Sequence, residues 1–313
     1  MPKQFRLIEV PLDAPDADED LGTKEKFWFR DHDLGRCLFK KARPNTGEDW
    51  AEKIAAELCE LLRLPHADYE LAAYNGENGI ISPSFLPYQK GGILTLGNEI
   101  LARIVSNYPQ DSKDLSQHTI DNVFNAIGDA SVNLPIGWTP PDRINYATET
   151  FVGYLLLDAW IGNSDRHHEN WAFISLEENI YLAPTYDHAS CLGRNESDSR
   201  RKSRLTTKDA GFSVQAYVEK CNSALYARVG DQKTLKTFNA FREAQQRYPG
   251  AARVWLNNLA RVSSNDTLEL FERIPSNRIS QTAIEFAQKI LELNQSKLLD
   301  TYDENTFFSL ARS

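Results

Sequence analysis

The side chains best suited to chemistry lie in two short stretches. The first reads Asn163-Ser164-Asp165-Arg166-His167-His168-Glu169-Asn170-Trp171, and the second is the turn Tyr186-Asp187-His188. The first offers a carboxylate at Asp165 and an amide oxygen at Asn170; the second adds a carboxylate at Asp187. Phosphoryl transfer calls for such a set. One carboxylate orients the attacking hydroxyl and takes its proton, while amide and carboxylate oxygens hold Mg²⁺ against nucleotide phosphates. Magnesium favours oxygen donors of this kind. Asp165 therefore takes the first role, and Asn170 and Asp187 the second.

Residues this far apart need elements to gather them. The apolar run over 147–161 predicts a helix that delivers the chain into the Asp165 loop. Segments 171–176 and 180–184 flank Glu177-Glu178-Asn179 and predict a hairpin. Folding the hairpin brings Asp165, Asn170 and Asp187 to one end. Asp, then Asn, then a second Asp beyond a short hairpin is the order found in protein kinases.

The remaining parts are sought upstream. Strands are expected at 26–30 and 36–41 around the turn 31–35, then a helix at 49–63 ended by Pro65, then strands at 69–74 and 79–86. Lys40 shares a strand face with Leu38, so that Leu38 would line an adenine pocket and Lys40 reach phosphate. Lys41 is the alternative, but its face-mate Phe39 belongs in a core. Glu52 on the helix is placed to pair with Lys40, with Glu57 as competitor. Gly22-Thr23-Lys24 precede the first strand, where backbone N–H groups can fold over phosphates.

The chain has 313 residues, 41% hydrophobic and 25% charged, with a formal net charge of -9. That is an ordinary globular composition. The acidic balance argues against direct nucleic-acid binding, which favours a basic face. No run suits a signal segment or a bilayer span, so a cytoplasmic protein without membrane attachment is expected. Cys37, Cys59, Cys191 and Cys221 form no CxxC pair and read as reduced thiols. No GxxxxGK[ST] string occurs, which excludes a P-loop NTPase. The character changes near residue 88. A small mixed lobe over 1–87 precedes a larger lobe over 88–313, with helices at 119–128, 147–161, 232–247, 251–260, 266–273 and 279–300, interrupted by one hairpin.

The segments Asn163-Ser-Asp165-Arg-His167-His-Glu-Asn170 and Leu182-Ala-Pro184-Thr-Tyr186-Asp187-His-Ala-Ser190 carry a resemblance. With looser matches at Leu38-Phe-Lys40, Trp50-Ala-Glu52 and Leu64-Pro65, the chain resembles the HipA-like serine/threonine kinases, the toxins of bacterial toxin–antitoxin systems. The match spans residues 21–190. It implies an α+β, bilobal kinase-like fold, with ATP and Mg²⁺ as cofactors. Asp165 would be the base, Asn170 and Asp187 the metal ligands, and Lys40 the phosphate contact. Adenine would be held near Ser84-Phe85-Leu86. The resemblance also implies a protein substrate such as an aminoacyl-tRNA synthetase, arrest of translation, and an antitoxin partner. Full-length HipA proteins carry an additional N-terminal subdomain, so the chain looks like a shorter, stand-alone branch.

His167 is expected to brace the catalytic loop and His168 to lie at the surface; adjacent histidines are poorly placed to chelate one ion. Thr23 stands where self-phosphorylation would add about -1.5 to -2 charge beside the ATP phosphates and inhibit binding. Arg194–Arg204 follows Asp187, is locally basic, and offers Ser199 and Ser203 as further acceptors. It would dock an acidic substrate surface, a tRNA-bound substrate or a phosphorylated loop. A lipid or small-molecule kinase is the runner-up, since Asp165-Arg-His-x-x-Asn170 also resembles phosphoinositide kinases. A nucleotide-binding scaffold without turnover is the third reading.

Overall fold

The computed structural model describes residues 2–18, 25–109 and 114–310. Its first sheet contains β1 (Leu7–Val10), β2 (Ala17–Asp18), β3 (Lys26–Asp31), β4 (Gly35–Lys41), β5 (Glu70–Tyr74) and β6 (Glu77–Pro83). The spatial order is β1-β5-β6-β4-β3-β2, antiparallel except where β1 runs parallel to β5. Period-two alternation sorts the strands' two faces. Phe27, Phe29, Cys37 and Phe39 are buried with Ile8, Val10, Ala72 and Ile81 on one face. Trp28, Leu38 and Lys40 stand on the other, facing the cleft. The register pairs Lys26 with Lys40 and Trp28 with Leu38.

Helix α1 (Glu48–Leu62) crosses behind β5 and β6. Glu48 and Asp49 in its first turn suit the positive end of the helix dipole, and Arg63 ends it in the left-handed conformation. The helix is buried on nearly every side, because the C-terminal helices cover the face that the sheet leaves.

The chain leaves the first sheet at Pro83 and enters a second at β7 (Ile93–Leu96). Helices α2 (Gly97–Ile104), α3 (Ile120–Ile127) and α4 (Ala147–Ile161) follow, with β8 (Val132–Asn133) between the last two. The expected hairpin is present as β9 (Ala172–Leu176) and β10 (Asn179–Leu182). It is wider than expected: β7 and β8 flank it in a four-stranded sheet, β7-β9-β10-β8. After the hairpin come α5 (Asp198–Thr206), α6 (Val214–Val218), α7 (Thr237–Arg247), α8 (Pro249–Ala260), α9 (Ser264–Glu272) and α10 (Gln281–Leu310). The architecture is α+β and bilobal, a strand-rich first lobe against a mainly helical second one.

Helix α4 is the axis of the second lobe. Phe151, Val152, Leu155, Leu156, Leu157, Trp160 and Ile161 are all buried. A helix apolar all round must be covered all round, and α7, α8 and α10 supply that cover. The Glu149 carboxylate secures its start by accepting the N–H groups of Asn145 (2.6 Å) and Tyr146 (3.2 Å). Gly162, at φ +67°, ends it and turns the chain into the Asp165 loop.

Candidate active site

The Asp165 loop is built on a buried ion pair. Arg166 is fully enclosed, and its guanidinium donates to both oxygens of Asp158 on α4 at 2.8 Å. It also donates to the Asn170 carbonyl at 3.0 Å. Burial, the largest single influence, would lower the affinity of Arg166 for its proton; the charge and hydrogen bonds of Asp158, with Tyr154 and Cys59, together more than offset this and raise it. Asn163 joins in, donating to Asp158 (2.8 Å) and accepting the Asp165 N–H (3.1 Å). So the loop's charged and polar neighbours hold its backbone, and Asp165 itself is left half-exposed at the cleft.

Asn170 donates its Nδ2 to the Asp165 carbonyl. That fixes the amide plane and makes Oδ1 its acceptor atom. Asp187 sits on the opposite side of the hairpin with φ +59°, a left-handed conformation that Asp tolerates better than most residues. Three groups hold the turn there. The Tyr69 hydroxyl accepts the Asp187 N–H (3.1 Å), and the two Glu52 oxygens accept the N–H groups of His188 (2.6 Å) and Ala189 (2.9 Å). Burial, reinforced by the charges of Glu52 and Asp187, pushes the Tyr69 phenol far above its ordinary pKa and keeps it protonated.

Lys40 extends from β4 to within 3.3 Å of Asp187 Oδ1. The expected pairing with Glu52 is therefore corrected: the ammonium meets Asp187, because Glu52 is committed to the backbone of the Asp187 turn. Glu57 is engaged by Lys53 (2.8 Å) and Arg273 (3.6 Å). Lys41 turns the other way, to Glu25 (3.2 Å) and Glu77 (3.8 Å).

These side chains share one cavity of about 480 Å³ between the lobes. Asp165, Asn170, Asp187 and Lys40 line one part; Leu38, Leu86, Leu94 and Leu96 line another. Ser84 and Phe85 border it where the chain crosses between lobes. The Ser84 N–H donates to the Arg36 carbonyl (2.8 Å), and the Phe85 ring stacks on Tyr186 at 5.8 Å. The donor set fits ATP with magnesium: amide and carboxylate oxygens for the ion, an ammonium for phosphate, and an apolar wall for a base. Gly22 and Thr23 lie outside the described residues.

One of the two histidines departs from expectation: His167 braces the loop as expected, its Nδ1 accepting the Glu169 N–H at 3.1 Å, whereas His168 is not at the surface. His168 is fully buried, its Nδ1 2.6 Å from the Tyr108 hydroxyl, and it braces the loop from below. His167 is half-buried at the cavity, its Nε2 3.8 Å from Asp165 Oδ1. A helix packs tightly beneath His168. At Gly97, a Cβ would fall 2.3 Å from the Trp171 ring and 2.5 Å from the His168 carbonyl, so α2 leaves no route outward.

The basic segment after Asp187 is helical. In α5, Arg201 meets Asp198 (2.8 Å), and Arg200 and Arg204 share Glu196 (both 3.0 Å). Ser199 and Ser203 are exposed on that helix, and the Ser203 hydroxyl donates to the Ser199 carbonyl at 2.9 Å. Sequence reasoning named Ser190 and Arg194 only within longer segments and missed their place beside Asp165. Ser190 donates to Asp165 Oδ2 at 3.2 Å, and Arg194 donates to Ser190 at 3.0 Å. The spacing of two polar residues after Asp187 was the one available signal.

By sequence, no family model matches the chain, and no curated protein matches it. Solved structures do. The Helicobacter pylori proinflammatory kinase CtkA superimposes with a TM-score of 0.71 at 18% identity, over 91% of this chain and 92% of that one. HipA of Shewanella oneidensis MR-1, solved with HipB and operator DNA, gives a TM-score of 0.55 at 11% identity, over 92% of this chain and 67% of its own. Likeness at these identities speaks to architecture: the chain has the bilobal kinase fold that CtkA and HipA share.

Proposed function

We propose that the protein is an ATP- and Mg²⁺-dependent protein kinase that phosphorylates serine or threonine. One observation carries the reading: Asp165, Asn170, Asp187 and Lys40 converge on a single interlobe cavity with an apolar wall beside them. Asp165, half-exposed, orients the acceptor hydroxyl and receives its proton as the γ-phosphorus–oxygen bond to ADP breaks and the new one forms. Lys40 offsets phosphate charge. Asn170 and Asp187 would hold Mg²⁺, which when bound supplies charge stabilisation to the phosphates. Positioning is the protein's main contribution.

Bound partners are a wider part of this proposal. The solved HipA carries its partner HipB, and by that analogy an antitoxin would hold this protein in check in the cytoplasm. A translation protein such as an aminoacyl-tRNA synthetase would be the target. The lipid-kinase reading gains nothing from the basic segment, because Arg200, Arg201 and Arg204 of α5 pair with Glu196 and Asp198. Among the described residues no helix is long and apolar enough to cross a membrane.

The test is intact and peptide-level mass spectrometry after incubation with ATP and Mg²⁺, beside Asp165→Ala and Asp187→Ala. Phosphate on the wild type alone, or on a protein of a cell extract treated with it, is expected. ATP binding without transfer to any protein would refute the reading and leave a scaffold.

A further inference from the structure

Asp165 is not held by its loop alone. Its Oδ2 accepts the Ser190 hydroxyl (3.2 Å), and Ser190 accepts Nη2 of Arg194 (3.0 Å). Chemistry sets the direction of this chain. A guanidinium only donates, so the Ser190 oxygen must accept from Arg194, and its single proton turns toward Asp165. Arg194 is buried and meets the buried carboxylate of Glu48 through Nη1. Glu48 begins α1 and also receives Nη1 (2.9 Å) and the N–H (3.1 Å) of Arg43, on the first-lobe side of the cleft. The Arg194 backbone is fixed too: its carbonyl accepts the Gly47 N–H at 3.1 Å. Ser190 reaches the loop a second time, its carbonyl accepting the Ser164 N–H at 3.2 Å. Arg43, Ser190 and Arg194 all line the cavity that holds Asp165.

We propose that Ser190 and Arg194 are positioning residues for Asp165: Arg194, anchored on Glu48, orients the Ser190 hydroxyl, which clamps Oδ2 and leaves Oδ1 to face the acceptor. This rests on the reading of Asp165 as the proton acceptor. The relay ties that carboxylate to the start of α1, so the group that takes the proton is set by the same helix that holds the Asp187 turn through Glu52.

Steady-state phosphoryl transfer by the full chain tests it. Ser190→Ala is expected to lower kcat about tenfold, since a misplaced reacting group is costly, with KM for ATP unchanged. Ser190→Thr, which keeps the hydroxyl, recovers most of the rate. Arg194→Ala has an effect similar to that of Ser190→Ala, and the double variant is no slower than either, because both act through one hydrogen bond. Multiplying effects in the double variant would overturn the relay. So would full kcat in Ser190→Ala, or a KM for ATP that rises as kcat falls. Arg194→Ala leaves the buried Glu48 with Arg43 as its one remaining cationic partner among those named; should it not fold, Ser190→Ala against Ser190→Thr decides alone. Asp165→Asn separates the two levels. Full activity there refutes the role of Asp165 itself; an inactive Asp165→Asn beside a fully active Ser190→Ala refutes only the positioning.

Discussion

The Glu52 carboxylate, 1% exposed, spends both oxygens on the N–H groups of His188 and Ala189. Glutamine at this position would offer one acceptor and turn an NH₂ group toward the other N–H. One buried donor would lose its partner, at a cost of about 1–3 kcal/mol. Glu52→Gln is therefore expected to lower the unfolding midpoint and, by releasing the Asp187 turn, to slow phosphoryl transfer further than the loss of folded protein accounts for. Wild-type melting and turnover would sink that account. The same residue marks what a sequence can show. Asp165, Asn170 and Asp187 declare themselves because their order and spacing are local. The partners of Glu52 are main-chain groups up to 137 positions away, and N–H groups leave no trace in side-chain type. Ser190 and Arg194 escaped for a related reason: the chain ends on Glu48, the partner of Arg194, which looks like an ordinary helix-start carboxylate.

Among the elements, long periodic ones were legible and short ones were not. The helix over 147–161 was readable to its bounds, since its apolar residues are dense, interrupted in the second half by Asp158 alone. Strands β2 and β8 have two residues each, and β7 four, too few for alternation to register. The helix α5 was hidden by charge: all its residues but Leu205 are polar, and its one buried side chain is Arg201. Below the Asp165 loop, a buried histidine joins several elements. His118 Nδ1 lies 2.9 Å from the Ala224 carbonyl and must donate to it, while Nε2 accepts the Trp171 indole N–H at 3.2 Å. Both partners require the neutral ring, and burial lowers its pKa to about 3. The unfolded chain takes up this proton first, near pH 6.5. The stabilisation is complete above that pH and is lost as pH falls from about 6.5 towards 3, by up to about 1.4 kcal/mol per unit. Urea unfolding at several pH values should show this acid limb, and His118→Gln should flatten it. An equally steep limb in the variant would assign the slope to other groups.

At the scale of the whole molecule, two lobes do not mean two folding units. One core contains Trp50, Ile54 and Leu58 of α1 together with Phe151, Leu155, Trp255 and Phe271 of the second lobe. Arg278, before α10, reaches across to Asp49 on α1 (2.7 Å) and to the Ala72 carbonyl on β5 (2.6 Å). Burial raises the Asp49 pKa, and the hydrogen bond and charge of Arg278 oppose that rise. Calorimetry should therefore show one transition with matching calorimetric and van't Hoff enthalpies; two resolved transitions would show that the lobes melt apart. The bilobal class was visible in the change of pattern near residue 88. The shared core was not, since it pairs segments separated by some two hundred positions.

The enclosure of α4 also bears on how the protein is made. Every residue of the Asp165 loop, the Asp187 turn and the Lys40 strand has been synthesised once the ribosome passes Ser190. The helix that carries the loop is then covered only in part, by Leu64, Phe124 and Trp171, because α7, α8 and α10, which complete the cover, begin only at Thr237. A nascent chain stopped between those points holds all the chemistry and only part of the packing that supports it, with one side of an apolar helix open to chaperones. Competence thus arrives late and all at once, when the last helices close over the first.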